Sequence, residues 1–361
     1  MSPYRTLLST AATVLLVACG GSDPTKPIDR GIDTACLASF PEDELFAAAT
    51  RGAIPELNRP ELAGASASFI QDTDRVLGIE IDGEARAYPF GILWWHELVN
   101  DTLGGQAILV SYCPLTGSGL VFDPRIRGEK RDFIVSGLLF NTNLVMLDRQ
   151  TESLWNQMLL GSQCGMDRGT DLARYSVVET TWEDWKVRYP NTTVLTPNTG
   201  FGNRPYFQYP YGDYADPDND FVDFLPPGAN WSRELKTKEL VLGVFDGSDA
   251  VAFSLERLAA AGVSLVVNDQ VGSTPFVVAS RSQWNTAQAF DRRVNGETLT
   301  FTLFNPGPFT MTDDQTGSVW DIRGVAISGP MMGQKLTLVA DSYTAFWFAW
   351  SLYYPSTRVY S

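Results

Sequence analysis

The sequence contains only one histidine, His96, and only four cysteines in 361 residues. A zinc site built from three histidines therefore cannot form, and neither can the His-Glu-x-x-His motif of metalloproteases. Charged residues make up only 19% of the chain, yet the net charge is −15. This excess of negative charge argues against a nucleic-acid-binding protein and against electrostatic docking on anionic lipid.

The hydrophobic run at residues 7–18 is too short to span a membrane. It follows Arg5 and ends in Leu16-Val17-Ala18-Cys19, which is typical of a lipoprotein signal peptide. We therefore expect residues 1–18 to be removed, Cys19 to carry the lipid that joins the protein to the membrane, and the protein to reside in the cell envelope. An ordinary signal peptide with an incidental cysteine is the alternative. Residues 19–70 are predicted to be a tether and an N-terminal extension.

An exported protein meets an oxidising compartment, where disulfides persist. A disulfide between Cys36 and Cys164 is plausible and would leave Cys113 free. A bridge that includes Cys113 is the alternative, and it would remove the thiol from any chemistry.

The chain is long enough for two domains, and its 44% apolar residues can form a full core. Residues 41–49 are predicted to be helical. Residues 76–88 read as a hairpin around the turn formers Asp82-Gly83. Short helices are expected at residues 89–99 and 180–189, and strands dominate elsewhere. The pattern predicts a β-rich α+β fold.

The most informative stretch joins His96, on a predicted helix, to Cys113, at the end of a predicted strand. Imidazole and thiol are the side chains best suited to bind a soft metal or to form an activated nucleophile. Met146 is a candidate third soft ligand. Glu97, Asn100 and Asp101 are candidates for fixing the imidazole tautomer, and these three residues lie close to His96 in sequence.

Several strings in this region resemble the bacterial domain of unknown function DUF3179: Trp95-His96-Glu97, Val99-Asn100-Asp101, Tyr112-Cys113-Pro114-Leu115 and the run from Asn143 to Thr151. The resemblance covers roughly residues 35–240 and implies a secreted or lipid-anchored bacterial protein. The family pattern often has a second cysteine where this chain has Thr116. A dithiol cycle of the Cys-x-x-Cys kind therefore cannot operate here.

The chain also contains an internal repeat. The string Asp-Arg-Gln-Thr-Glu-Ser-Leu-Trp at residues 148–155 recurs as Asp-Asp-Gln-Thr-Gly-Ser-Val-Trp at residues 313–320, and two later tryptophans recur at the same spacing. We interpret this as an internal duplication of one mixed β unit with short helices, with copies at residues 71–200 and 236–361. The string itself is interpreted as a turn in which Asp and Thr bond the local backbone and Trp packs beneath.

The second copy carries neither reactive group, because His96 aligns with Ala261 or Ser264 and Cys113 aligns with Val278 or Arg281. The first unit is therefore the candidate site-bearing unit. Met146 is a weaker candidate because Met311 occupies its place in the second copy.

Between the copies, residues 201–235 form an insert rich in tyrosines and aspartates. Asp216-x-Asp218-x-Asp220 resembles the start of a calcium loop, but the expected Gly and the later Glu are missing, so a solvated acidic loop is the favoured interpretation. The tyrosines could line a sugar or peptide groove, or pack against the unit they border.

Three functions follow from these features. The first is binding of a soft transition metal, copper more readily than zinc, by His96, Cys113 and Met146. The second is a thiol enzyme in which His96 activates Cys113 for acyl transfer or peroxide chemistry. The third is a non-catalytic envelope binding or assembly protein that works through its aromatic insert. A purely architectural reading sets all three aside: His96 caps or packs a helix, and Cys113 is a small buried hydrophobe.

Overall fold

A computed structural model describes residues 34–37, 40, 44–202 and 204–361. The predicted signal peptide and Cys19 lie outside the described residues. Strands account for 44% of the chain and helices for 10%, which confirms the β-rich α+β class. Among the described residues, no helix combines the length and the apolar character needed to cross a bilayer.

The described residues of the first half form the helices α1 (Thr34–Leu37), α2 (Phe90–His96) and α3 (Trp182–Arg188). Its strands are short and mostly antiparallel: β1 (Leu45–Ala47), β2 (Leu57–Asn58), β3 (Leu62–Gly64), β4 (Arg75–Ile81), β5 (Glu84–Pro89), β6 (Leu98–Leu103), β7 (Gln106–Cys113), β8 (Ser118–Phe122), β9 (Arg125–Ile126), β10 (Glu129–Lys130), β11 (Phe133–Phe140), β12 (Asn143–Asp148), β13 (Leu154–Asn156), β14 (Gly161–Cys164), β15 (Arg174–Tyr175), β16 (Val178–Thr181) and β17 (Thr193–Leu195).

The second half contains α4 (Leu255–Ala261), α5 (Trp347–Tyr353) and a short 3₁₀ turn at Ser282–Trp284. Its strands are β18 (Leu240–Asp246), β19 (Asp249–Ser254), β20 (Ser264–Val271), β21 (Thr274–Arg281), β22 (Thr286–Asp291), β23 (Arg293–Val294), β24 (Glu297–Thr298), β25 (Phe301–Pro306), β26 (Phe309–Asp313), β27 (Val319–Asp321), β28 (Ala326–Ser328), β29 (Ser342–Phe346) and β30 (Arg358–Val359).

The sheets of the two halves have matching strand orders. Strands β16-β4-β5-β17 correspond to β29-β18-β19-β30, and in both sets the last pair is parallel. Strands β6-β7-β8 correspond to β20-β21-β22, and β11-β12-β13-β14 correspond to β25-β26-β27-β28. The largest apolar cluster draws residues from both halves, so the described halves share a core.

The repeated string forms the predicted turn in both halves. The Asp148 carboxylate accepts hydrogen bonds from the Thr151 backbone N–H, the Thr151 hydroxyl and Trp155 Nε1. Asp313 accepts the same three bonds from Thr316 and Trp320. Both tryptophans are fully buried, which confirms the interpretation of this string as a structural turn.

In each half, a tryptophan of one helix packs against a glycine of the neighbouring strand. Trp185 of α3 lies so close to Gly78 of β4 that a Cβ there would be 2.3 Å from its ring, and Trp350 of α5 lies in the same way over Gly243. A side chain at either glycine would collide with the indole. These contacts explain why glycine and tryptophan recur together.

Most predicted elements near the candidate site are confirmed. The hairpin β4–β5 turns at Asp82 (φ 51°) and Gly83 (φ 85°), as a type I′ turn requires. The helix predicted at residues 41–49 is wrong, because Leu45–Ala47 forms β1 and pairs antiparallel with β11. Pairing with a sheet edge has overridden the local helical preference.

Candidate functional site

His96 ends α2 and has no exposed surface. Its Nδ1 lies 2.8 Å from the Pro55 carbonyl oxygen, which can only accept, so Nδ1 carries the proton. Its Nε2 lies 2.6 Å from the Tyr206 hydroxyl and therefore accepts from it. Burial lowers the pKa of His96 to about 4, so the ring is neutral at physiological pH.

This arrangement makes His96 an attachment point for the insert. Tyr206 also lies 2.5 Å from the Thr199 hydroxyl, and the rings of Phe201 and Tyr206 pack near the imidazole. The prediction that Glu97, Asn100 or Asp101 fixes the imidazole tautomer is wrong. The Pro55 carbonyl does so, while Asn100 bonds the backbone of Phe133.

Cys113 ends β7 and is 1% exposed. Its thiol donates to the Thr142 carbonyl oxygen across 3.8 Å. Burial, helped by the nearby Glu97 carboxyl, raises the pKa of Cys113 to about 11. The thiol is therefore protonated at neutral pH, which is the opposite of the activated state expected for a nucleophile paired with imidazole.

The predicted disulfide between Cys36 and Cys164 is present, and Cys113 is the free cysteine of the described residues. The imidazole and the thiol have different partners in this structure. Both ring nitrogens of His96 are bonded, to Pro55 and Tyr206, whereas the Cys113 thiol donates to the Thr142 carbonyl oxygen.

Glu97 is a buried acid whose environment the sequence did not indicate. It follows α2 with φ 57° and is 5% exposed, and burial raises its pKa to about 8. The Tyr112 N–H donates to the Glu97 carbonyl, which continues the register of β6 on β7 and places Glu97 opposite Tyr112, the residue before Cys113. The two-residue hairpin turn at Gly104-Gly105 fixes the register of β6 on β7, and this turn was visible in the sequence.

A fully buried polar network adjoins the thiol. The Asn143 amide donates to Thr116 Oγ1 at 3.0 Å and to Gln157 Oε1 at 2.8 Å. Ser118 Oγ donates to Gln157 Oε1 at 2.8 Å, and Gln157 Nε2 donates to Ser111 Oγ at 3.0 Å. Burying five polar side chains costs free energy unless each is bonded, and here each has a partner.

The second half has no such network at the matching place. Cys113 pairs with Ser118 across β7 and β8, and in the same register Arg281 pairs with Thr286 across β21 and β22. Arg281 lies 4.1 Å from the ring of Trp284. The thiol and its polar neighbours therefore belong to the first half alone.

Met146 is fully buried and belongs to the same apolar cluster as Cys113. It pairs with Val135 and Trp155 in the sheet, just as Met311 pairs with Leu303 and Trp320. Within the described residues, no three His, Cys, Asp or Glu side chains are grouped closely enough to hold a metal ion.

The insert packs over residues 113–115, which are called the Cys113 segment. The Tyr209 hydroxyl donates to the Pro114 carbonyl oxygen at 2.9 Å, and the Tyr214 hydroxyl donates to the Leu115 carbonyl oxygen at 3.0 Å. These two tyrosines thus pack against the unit that they border. Asp216, Asp218 and Asp220 are exposed, as expected for a solvated acidic loop.

A family model described as a protein of unknown function (DUF3179) matches residues 51–357, so the chain belongs to that family. The match extends well beyond the roughly 35–240 that the sequence strings suggested and runs through both halves. Neither the curated proteins nor the solved structures give a match to this chain.

Proposed function

We propose that this member of the DUF3179 family is a lipid-anchored protein of the cell envelope whose function is thiol chemistry at Cys113, with Glu97 as the acid–base partner. Two observations support the proposal: Cys113 is a free, buried thiol, and the buried Glu97 carboxyl acts electrostatically on the pKa of that thiol. The anchor rests on the sequence around Cys19.

The two halves arose by internal duplication in this proposal, with units near residues 71–200 and 236–361. The matching strand orders, the repeated Asp-Thr-Trp turn and the two glycine–tryptophan contacts support it. A scaffold role alone would call for the same residues in both copies. The presence of Cys113, Glu97 and the polar network in one copy supports a function for that copy.

The chemistry best suited to this group is acyl transfer. The Cys113 thiol gives its proton to the Glu97 carboxylate as sulfur attacks the acyl carbon, and the carboxylic acid then returns the proton to the leaving oxygen. Water hydrolyses the resulting thioester and regenerates the thiol. Because burial raises the pKa of Glu97 to about 8, the carboxylate becomes able to accept the proton as the pH rises through that value.

Acetylation by p-nitrophenyl acetate tests the proposal. The full chain should release p-nitrophenol and carry an acetyl group on Cys113, detected by peptide mass. Cys113→Ser should abolish the release, while Met146→Leu should leave it unchanged. Equal release from the native protein and Cys113→Ser, with no acetyl group on Cys113, would remove thiol chemistry from the account.

Soft-metal binding is the second candidate. The two sulfur-bearing side chains Cys113 and Met146 lie in one buried apolar cluster, and such ligands select Cu(I) over hard cations. His96 would first have to give up its bond to Tyr206 before it could act as a ligand. Copper analysis after incubation with Cu(I) under reducing conditions tests this idea: copper retained equally by the native protein and Cys113→Ser argues against a site at the thiol.

A further inference from the structure

The insert segment between Phe207 and Phe224 lies directly over the Cys113 segment. We propose that residues 207–224 form a lid that opens as a unit to expose Cys113. This inference concerns access to the site and rests on the function proposed for the thiol. Residues 204–239 contain no helix or strand, so opening would disrupt turns and leave the sheets intact.

Several hydrogen bonds join the lid to the residues around Cys113. Tyr209 and Tyr214 donate to the carbonyl oxygens of Pro114 and Leu115. The Thr142 hydroxyl donates to the Asp223 carbonyl oxygen at 2.7 Å. The Thr142 carbonyl oxygen also accepts a hydrogen bond from the Cys113 thiol. Thr142 therefore bonds both the lid and the thiol.

Lys238 holds the far side of the lid. Its side chain is buried, and Nζ donates to the carbonyl oxygens of Asn219 at 2.6 Å and Phe221 at 2.5 Å. The same ammonium lies 4.2 Å from the ring of Tyr214. The lid is therefore fastened by separate hydrogen bonds and by the burial of Tyr214 and Phe224 in the largest apolar cluster, rather than by a continuous strand ladder.

Both ends of the lid have unusual backbone conformations. Phe207 has φ 64° and Phe224 has φ 56°, a region that bulky residues rarely adopt. Packing holds them there: the Phe207 ring fills the space left by Gly91 of α2, where a Cβ would lie 2.5 Å away, and Phe224 is 5% exposed. Opening the lid lets both residues leave these unfavourable conformations, which offsets part of the free energy lost with the hydrogen bonds. The two residues are therefore the natural hinges.

Alkylation of the native full chain by iodoacetamide, followed by peptide mass analysis at Cys113, measures lid opening. Each of Tyr209→Phe and Tyr214→Phe removes one hydrogen bond of the closed state, which is partly buried for Tyr209 and buried for Tyr214. We expect each variant to raise the labelling rate about fivefold and the double variant about 20-fold or more. Low concentrations of urea should change the labelling rate of Cys113 little, because opening of the lid exposes far less surface than unfolding of the protein.

Thr286→Val is the matched control. It removes a hydroxyl-to-carbonyl bond of 2.8 Å, to Glu179, at the junction of β22 and β16, away from the lid. Labelling that is equal in the tyrosine variants and this control, or that follows global unfolding in urea, would overturn the lid. Faster labelling without acetyl transfer from p-nitrophenyl acetate would keep the lid and remove the proposed chemistry. The two failures are therefore distinguishable.

Discussion

The single histidine gives a clean test of the electrostatics at the insert. Burial lowers the pKa of His96 from its ordinary value of 6.5 to about 4. A pKa difference of this size corresponds to about 3 kcal/mol, since a tenfold change in an equilibrium constant is worth about 1.4 kcal/mol. Between pH 6.5 and 4 the unfolded chain binds a proton that the folded chain excludes. The stability contributed by neutral His96 is therefore complete above pH 6.5 and is lost progressively as the pH falls to about 4.

Urea unfolding of the native protein and His96→Gln across pH 4 to 7 measures this contribution. Acidic groups titrate in both proteins, so the difference between the two unfolding free energies isolates the imidazole. We expect that difference to shrink by about 3 kcal/mol from pH 7 to pH 4. NMR of histidine-labelled protein should give one titrating ring, protonated on Nδ1 at pH 7, with a midpoint near 4. A midpoint near 6.5, or a difference independent of pH, would refute the burial and the bond to Tyr206.

Three further predictions concern the scaffold. Gly78→Ala should lower the free energy of unfolding by about 1–3 kcal/mol because its Cβ would meet Trp185, whereas Gly64→Ala, which has open space, should change it little; equal effects would contradict the packing. Replacing Cys36 and Cys164 with alanine should cost about 2–5 kcal/mol, since the bridge closes a long loop; an unchanged urea midpoint would argue against the bridge. Asp148→Asn and Asp313→Asn should each cost about 1–3 kcal/mol, because the two turns have the same three bonds, and a large inequality would weaken their equivalence.

The parts of the fold that sequence could predict are those fixed by short-range chemistry. The Asp82-Gly83 turn, the helix at Trp182–Arg188 and the Asp-Thr-Trp turns depend on residues close together in the chain. The cysteine pairing could be predicted because a chain that is expected to be exported, with three thiols besides Cys19, favours one bridge. In each case the residue types alone indicate the local structure or the pairing.

The helix expected at residues 41–49 failed because its fate depends on β11, about 90 residues away. Pairing with a distant strand leaves no local pattern that outweighs helical propensity. The same reason limits what could be said of the insert. The four tyrosines were visible as a cluster, but the carbonyl groups that two of them bond belong to the segment after Cys113.

The candidate site, too, has features that the sequence indicates and features that depend on contacts between distant parts of the chain. Sequence singled out the stretch that contains His96 and Cys113, and the structure gives these two side chains different hydrogen-bond partners. Composition drew attention to the rare imidazole and thiol, while Glu97, one of many acids, stands out only through its burial in the fold. Packing in three dimensions, rather than residue rarity, buries Glu97 and raises its pKa.

The pH dependence of Cys113 acetylation in the native protein and in Glu97→Gln tests the central claim most directly. Acetylation by p-nitrophenyl acetate should accelerate in the native protein as the pH rises through about 8, where Glu97 ionises. Glu97→Gln should lose that rise and react more slowly at pH 9. Removing the carboxylate also removes a negative charge that holds the thiol protonated. A variant that reacts as fast as the native protein, or faster, would therefore show that Glu97 only opposes ionisation of Cys113 and takes no part in proton transfer.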